Sequence, residues 1–319
     1  MKISGFTFIK NATKLYIPIK ESILSVLPLV DEFVIAVGDC AEDDTTRELI
    51  ESIDSDKIKI IDTVWDVLKY PRNTEFAHQT DIAKEQCTGD WLIYIQADEA
   101  IHEDEFNVIK SAMNKYWKDD SIDGLLFNYR HFWGDYNHFH HSHTWYPREI
   151  RIIKNQPEIH SWRDAQSFRK FKGEFNYQPE EYNSENSTKL NVVLIDAYIY
   201  HYGYVRPPEM MGYKSQVMNR SYHGKKKADI KFKNDPKVFD YGPLDKLSSF
   251  EGTHPEVMRE WKSKFDWQNK LQMTGKRNPN RPIHKHEKLK YRVTTWVEQN
   301  LLGGRLIGGF KNYNLLKNK

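Results

Sequence analysis

Four short apolar runs in the first hundred residues constrain the fold more than anything else in the sequence. They are Ile3–Ile9, Glu32–Val37, Lys57–Asp62 and Trp91–Ile95. Each has the length and the β-branched or aromatic content of a strand. Between them lie segments with apolar residues at helical spacing: Leu15–Leu27, Thr45–Ile53 and Phe76–Gln86. Asn11 is a candidate cap for the first of these, although Pro18 fits only an opening helical turn and moves the start toward itself. Strands and helices alternating at this spacing predict βαβ units, hence a Rossmann-like α/β domain with a mostly parallel sheet flanked by helices.

Beyond residue 100 the rhythm changes. His102–Trp117 reads as a helix, and Gly124–Phe132, Arg148–Ile153 and Leu190–Tyr202 read as strands. The polar stretch Phe171–Lys189 reads as loop. Pro207–Tyr222, Pro255–Met273 and Leu289–Leu302 have helical spacing, with Gly275–Pro282 as a linker. The division is a domain over 1–223 and a basic, mainly helical extension over 224–319.

Charge changes near the same place. Residues 1–204 carry 22 Lys/Arg against 34 Asp/Glu, and the remainder carries 25 against 11, although the whole chain is only +2. A basic C-terminal part suits an anionic partner, such as a phosphorylated group or a membrane surface, or else the acidic N-terminal part itself. No nucleic acid is expected. The 43 aromatic residues suit flat contacts with a sugar or a base as well as a core. Cys40 and Cys87 form no disulfide framework, which fits a reducing compartment. No signal-peptide pattern opens the chain, and no apolar stretch is long enough to span a bilayer. The expected location is cytoplasmic, with peripheral membrane contact open to the basic end.

In an open parallel sheet, ligands bind beyond the carboxyl ends of the strands. Asp39 lies just beyond the second run, and Asp98 and Glu99 lie just beyond the fourth. One carboxylate in such a place suits a ribose or a base. A pair suits a divalent cation held against a diphosphate.

The residues around these acids carry a resemblance. Phe6-Thr7-Phe8-Ile9-Lys10-Asn11 ends the first strand, and Val34–Val37 leads into Gly38-Asp39-Cys40-Ala41-Glu42-Asp43-Asp44-Thr45. A helix closing in Gly89-Asp90 precedes Trp91-Leu92-Ile93-Tyr94-Ile95-Gln96-Ala97-Asp98-Glu99. In order and spacing the chain resembles a family-2 glycosyltransferase of the GT-A fold, closely over about the first hundred residues and loosely over the next hundred.

The resemblance implies a metal-dependent inverting transfer from a nucleotide sugar, UDP-sugars foremost, to a glycan or lipid-linked acceptor. It implies that Phe8, Lys10, Asp39, Ala97 and Asp98 bind the donor, with Arg72 a further candidate. Asp98 would ligate Mn2+ or Mg2+, and His201, in Tyr200-His201-Tyr202 ahead of Arg206 and Lys214, would join it. Asp164 is the first candidate for the general base and Glu158 the second, with Trp162 a candidate for stacking on the acceptor. The chain departs from the family pattern at Gln96, where the metal motif has its first acid. It also departs at Ala12 and at Thr80-Asp81. Glu99 is then a candidate to replace the missing carboxylate.

His138, His140, His141 and His143 form a tract that lacks an acid or cysteine at a standard zinc spacing, and it reads as an acceptor-side loop. A nucleotidyltransferase reading lacks its Gly-rich basic loop after the first strand. The remaining alternative is a catalytically impaired module of the same fold that binds a polyanion or glycan through Lys225-Lys226-Lys227 and the basic tail.

Overall fold

Burial on both faces explains why three of the four apolar runs form central strands. The computed structural model, which describes residues 1–223, 238–308 and 311–317, buries β1 (Ile3–Ile9), β2 (Glu32–Val37) and β4 (Trp91–Tyr94) almost throughout. The half-exposed β3 (Ile58–Asp62) takes the edge. All four are parallel in the order β3-β2-β1-β4. Helices α1 (Ile19–Val26), α2 (Thr46–Glu51) and α3 (Thr74–Glu85) connect them. Pro18, not Asn11, precedes α1. Asn11 sits at a φ of 57°, and its side-chain oxygen accepts from the Ala41 N–H at 2.8 Å, tying the first strand end to the second.

The sheet is mixed from here on. After β5 (Glu99–Ile101) and α4 (Phe106–Tyr116) come β6 (Gly124–Trp133), β7 (His138–His140), β8 (Arg148–Lys154), β9 (Ile159–Trp162), β10 (Ser167–Phe171) and β11 (Ser187–Tyr204). The order continues β4-β8-β6-β11-β10-β9, with β8 antiparallel to both β4 and β6. The N-terminal strands are parallel as expected, and parallel and antiparallel pairs mix beyond them. The 18-residue β11 runs parallel to β6, and its register sets His201 opposite both His131 and Glu99.

The described residues of the C-terminal part form three helices, α5 (Pro208–His223), the short α6 (Arg259–Ser263) and α7 (Leu289–Asn300). Pro255–Met273 is not one helix, because its tryptophans serve the core. Trp261 and Trp267 pack with Phe132 and Tyr202, and the Trp267 indole donates to the Gly134 carbonyl at 2.9 Å. Small strands β12 (Ser248–Ser249) and β13 (Tyr313–Leu315) return to pair with β7 and β11. Lys225–Lys227 lie outside the described residues. No helix among the described residues is long and apolar enough to cross a membrane.

Candidate active site

The carboxyl ends of β1, β4 and β11 open on one cavity of about 880 Å³, a volume within the range of small-molecule sites. Phe8 and Lys10 reach it from β1, Ala97 and Asp98 from the end of β4, and His201 from β11.

Asp98 is placed by strand pairing. The chain turns after β4, with the Glu99 N–H donating to the Gln96 carbonyl at 2.9 Å, and β5 then pairs with β11. Tyr202 N–H donates to the Asp98 carbonyl at 2.8 Å, which brings the Asp98 and His201 side chains together. Asp98 Oδ2 accepts from Lys214 Nζ at 3.0 Å and lies 3.4 Å from Arg206, while Oδ1 lies 3.7 Å from His201 Nε2. Burial alone would raise this carboxyl. The Lys214 ammonium and the Arg206 guanidinium outweigh it and hold the group well below the usual carboxylate range. Burial, with Arg206 adding to it, brings the Lys214 ammonium down to about 8. The space is tight: a Cβ on Gly203 would fall 2.5 Å from His201 Nε2 and 2.9 Å from Asp98 Oδ2, so only glycine fits there.

The proton on His201 is set by its neighbour. His131 is buried and held neutral, and its Nε2 donates to the Tyr146 carbonyl at 2.8 Å. Its Nδ1 is then an acceptor, and it faces His201 Nδ1 at 3.1 Å. Burial lowers the His201 imidazole, and in its neutral form it donates from Nδ1 and carries its lone pair on Nε2. That lone pair faces a carboxylate oxygen. Two acceptors opposed across 3.7 Å are unfavourable alone, and the separation suits one divalent cation bound to both. Among the described residues no group of three or more His, Cys, Asp or Glu side chains is arranged for a metal. An ion held between them would have two protein ligands and would take the rest from a diphosphate and water.

Glu99 is not free to be the third. Its two oxygens accept from Arg151 Nε and Nη2 at 2.8 Å each, and it also accepts from the Tyr129 hydroxyl and the Gln96 N–H. Both partners of the ion pair are fully buried. This carboxylate holds the fold together instead of facing the cavity.

The tip of the β9–β10 hairpin brings Asp164 to the cavity wall. Two side chains hold that tip by its carbonyls: Gln96 Nε2, in the turn after β4, donates to Ala165 O at 3.0 Å, and Arg151, on β8, donates to Gln166 O at 2.8 Å. The other acceptor-side candidates fall elsewhere. Glu158 is exposed at the opposite end of β9, 4.0 Å from Lys170. Trp162 is 6% exposed, packed with Phe171 and Tyr182 under the Arg169 guanidinium, and cannot stack on an acceptor.

On the donor side, Asp39 pairs with Lys10 Nζ at 2.8 Å and accepts from the Trp65 N–H at 2.9 Å. Burial opposes its charge, and these two contacts overcome it, so the carboxyl stays below its ordinary range. Trp65, Phe8 and Phe76 pack into one aromatic wall. Arg72 is exposed in the turn before α3 and does not line the cavity. Trp65 was not singled out from sequence. Its only signal there is an indole in the loop between the third strand and the helix that follows.

The opposite wall was also missed. Trp133, Trp145 and Tyr204 line it, and His284 and His286 close over it from the C-terminal part, each meeting the Trp133 ring edge to face. The histidine tract supports this wall: His140 stacks on Trp145, His138 pairs with Asp135, and His143 pairs with the buried Glu298.

A family model described as glycosyl transferase family 2 matches residues 17–175. Among solved structures, S. aureus TarS is similar at 15% identity over 68% of this chain and 39% of that chain, with a TM-score of 0.36. A shorter form of S. aureus TarS in complex with UDP-GlcNAc is similar at 13% identity, over 68% of this chain and 65% of that one, with a TM-score of 0.35. Glucosyl-3-phosphoglycerate synthase from Mycobacterium tuberculosis, in complex with Mn2+, uridine diphosphate and phosphoglyceric acid, is similar at 17% identity. That match covers 40% of this chain and 43% of the synthase, with a TM-score of 0.29. The chain thus spans less than half the length of TarS and of the synthase. No curated protein matches it.

Proposed function

Residues 17–175 belong to glycosyl transferase family 2, and from that premise we propose that the chain is a metal-dependent inverting glycosyltransferase. The donor is a nucleotide sugar, a UDP-sugar foremost, and the acceptor a glycan or a lipid-linked sugar. One observation carries the reading: a carboxylate and an imidazole lone pair converge at one point of the cavity that Asp164 also lines.

Lys10, which lines the cavity, and its ion-pair partner Asp39 bind the nucleoside, and the Phe8–Trp65–Phe76 wall packs against its base. Ala97, too small to obstruct, leaves the floor open to the diphosphate. Asp98 and His201 would hold Mn2+ or Mg2+, which when bound would supply Lewis-acid stabilisation of the leaving diphosphate. The Lys214 ammonium adds positive charge on the same side, and Arg206 orients Asp98.

Asp164 accepts the proton of the acceptor hydroxyl as that oxygen bonds to the anomeric carbon. The bond from that carbon to the diphosphate oxygen breaks, and its electron pair leaves with the nucleotide. Attack from the face opposite the leaving group inverts the configuration. His284 and His286 cover the Trp133 wall and limit water at the reacting carbon.

The test is nucleotide release from a panel of nucleotide sugars with Mn2+ or Mg2+, repeated with a chelator, in wild type, Asp98→Ala and Asp164→Asn. Metal-dependent release of one nucleotide, lost in Asp98→Ala, supports the reading and names the donor. Asp164→Asn should retain donor binding and lose transfer. Donor binding without turnover of any donor would leave a binding module of the same fold.

A further inference from the structure

Helix α7 is amphipathic the wrong way round for a helix docked on a protein. Its inward face is polar: the Thr295 hydroxyl accepts from the His143 N–H at 2.9 Å, and Glu298, fully buried, accepts from His143 Nδ1 at 2.7 Å. Its outward face is apolar. Leu289 is 73% exposed, Val293 53% and Trp296 57%, at positions i, i+4 and i+7 of one stripe. Leu301, at 64%, and Ile307, at 48%, extend the exposed apolar surface just beyond the helix.

Charge around this stripe is one-sided. Residues 282–317 contain seven Lys/Arg and two Asp/Glu. Of the two acids, Glu298 is buried and Glu287 is tied to Arg281. Lys288, Lys290, Arg292 and Arg305 are all exposed near the apolar residues. An exposed apolar stripe with a tryptophan, rimmed by basic groups with no acidic partner among the described residues on a helix too short to span, has the chemistry of a helix lying in a bilayer interface.

We propose that α7 and the turn after it form a docking surface for an anionic membrane. The surface goes beyond the transfer reading and does not depend on it. Joined to that reading, it acquires a purpose: Lys285 lines the cavity one turn before Leu289, so a lipid-borne acceptor would meet the site at the bilayer surface.

The whole chain is tested by co-sedimentation with vesicles of phosphatidylcholine alone and of phosphatidylcholine with phosphatidylglycerol, with no nucleotide sugar present. The chain should pellet with the phosphatidylglycerol vesicles, and added salt should weaken the binding. Val293→Glu combined with Trp296→Glu should lower it about tenfold or more. In wild type, acyl chains carrying bromine should quench fluorescence that Trp296→Phe lacks, a reading that does not rely on the double variant folding. Failure to pellet with either vesicle overturns the proposal, as does equal pelleting of the double variant. Self-association in sedimentation velocity, abolished by the same variant, would assign the face to a second copy of the chain instead. A negative result here leaves nucleotide release untouched, and the converse also holds.

Discussion

The Nδ1 atoms of His131 and His201 lie 3.1 Å apart, and a single proton serves both. Because the one N–H of neutral His131 donates to the Tyr146 carbonyl, the proton between the two Nδ1 atoms belongs to His201, and the His201 lone pair is turned toward Asp98. Replacing His131 with Phe keeps ring volume and frees His201 to take either tautomer. Titration of Mn2+ in the presence of UDP should then weaken by about 10- to 100-fold, the usual cost of losing the partner of a ligating histidine. UDP binding in the absence of metal should not change. An unaltered Mn2+ titration would show that His201 is not a ligand.

Gln96 stands where the resemblance expects an acid, and its amide is committed to the Ala165 carbonyl beside Asp164. Gln96→Ala should therefore loosen the hairpin tip without touching donor contacts. Steady-state kinetics should show kcat for transfer falling about tenfold or more, with the donor KM nearly constant. A rise in donor KM with unchanged kcat would place Gln96 on the donor instead.

Trp65 contributes one face of the donor-side aromatic wall and has an indole N–H with no hydrogen-bond partner. Stacking of a base on an aromatic ring contributes about 1–3 kcal/mol. Trp65→Ala should weaken nucleotide binding correspondingly, by roughly five- to 150-fold, as read by calorimetry with UDP. Equal binding by wild type and variant would move the base off this wall.

Glu149, on β8 next to the Ile150 N–H that its carboxylate accepts, is buried, and burial raises its carboxyl from 4.5 to about 7. The folded chain therefore keeps this proton through a range in which the unfolded chain has released it. The contribution of this group to stability is complete below the unfolded value and is lost as pH rises through about 7. Its size is on the order of 3 kcal/mol. Glu149→Gln, neutral at every pH, should flatten that loss. Thermal melts from about pH 5 to about pH 8 check it: the wild type should fall relative to the variant across the interval.

The parallel strands and the acids at their ends were legible because both are local. A strand buried on both faces writes a continuous apolar run, and Asp39 and Asp98 follow such runs directly. Glu99 could not be read correctly, since what disqualifies it is Arg151, which reaches it only through the pairing of β4 with β8. Trp162 and Glu158 were misplaced for a similar reason. The β9–β10 hairpin is too polar and short to announce its strands, so which of its residues stands at the tip was not visible. Helical spacing over Pro255–Met273 was real, but Trp261 and Trp267 gain more by entering the core than a continuous helix would allow. His284 and His286 were invisible as cavity residues, for nothing near them in sequence refers to Trp133.

That distant packing also dictates an order of events. During synthesis Phe8, Asp98 and His201 leave the ribosome well before the residues that close over them. The wall of Trp133 and Trp145 therefore stays wet until the chain has emerged past His286. A polypeptide released early would retain most of its sheet and display those two indoles as a bare apolar patch, a feature that chaperones and proteases recognise.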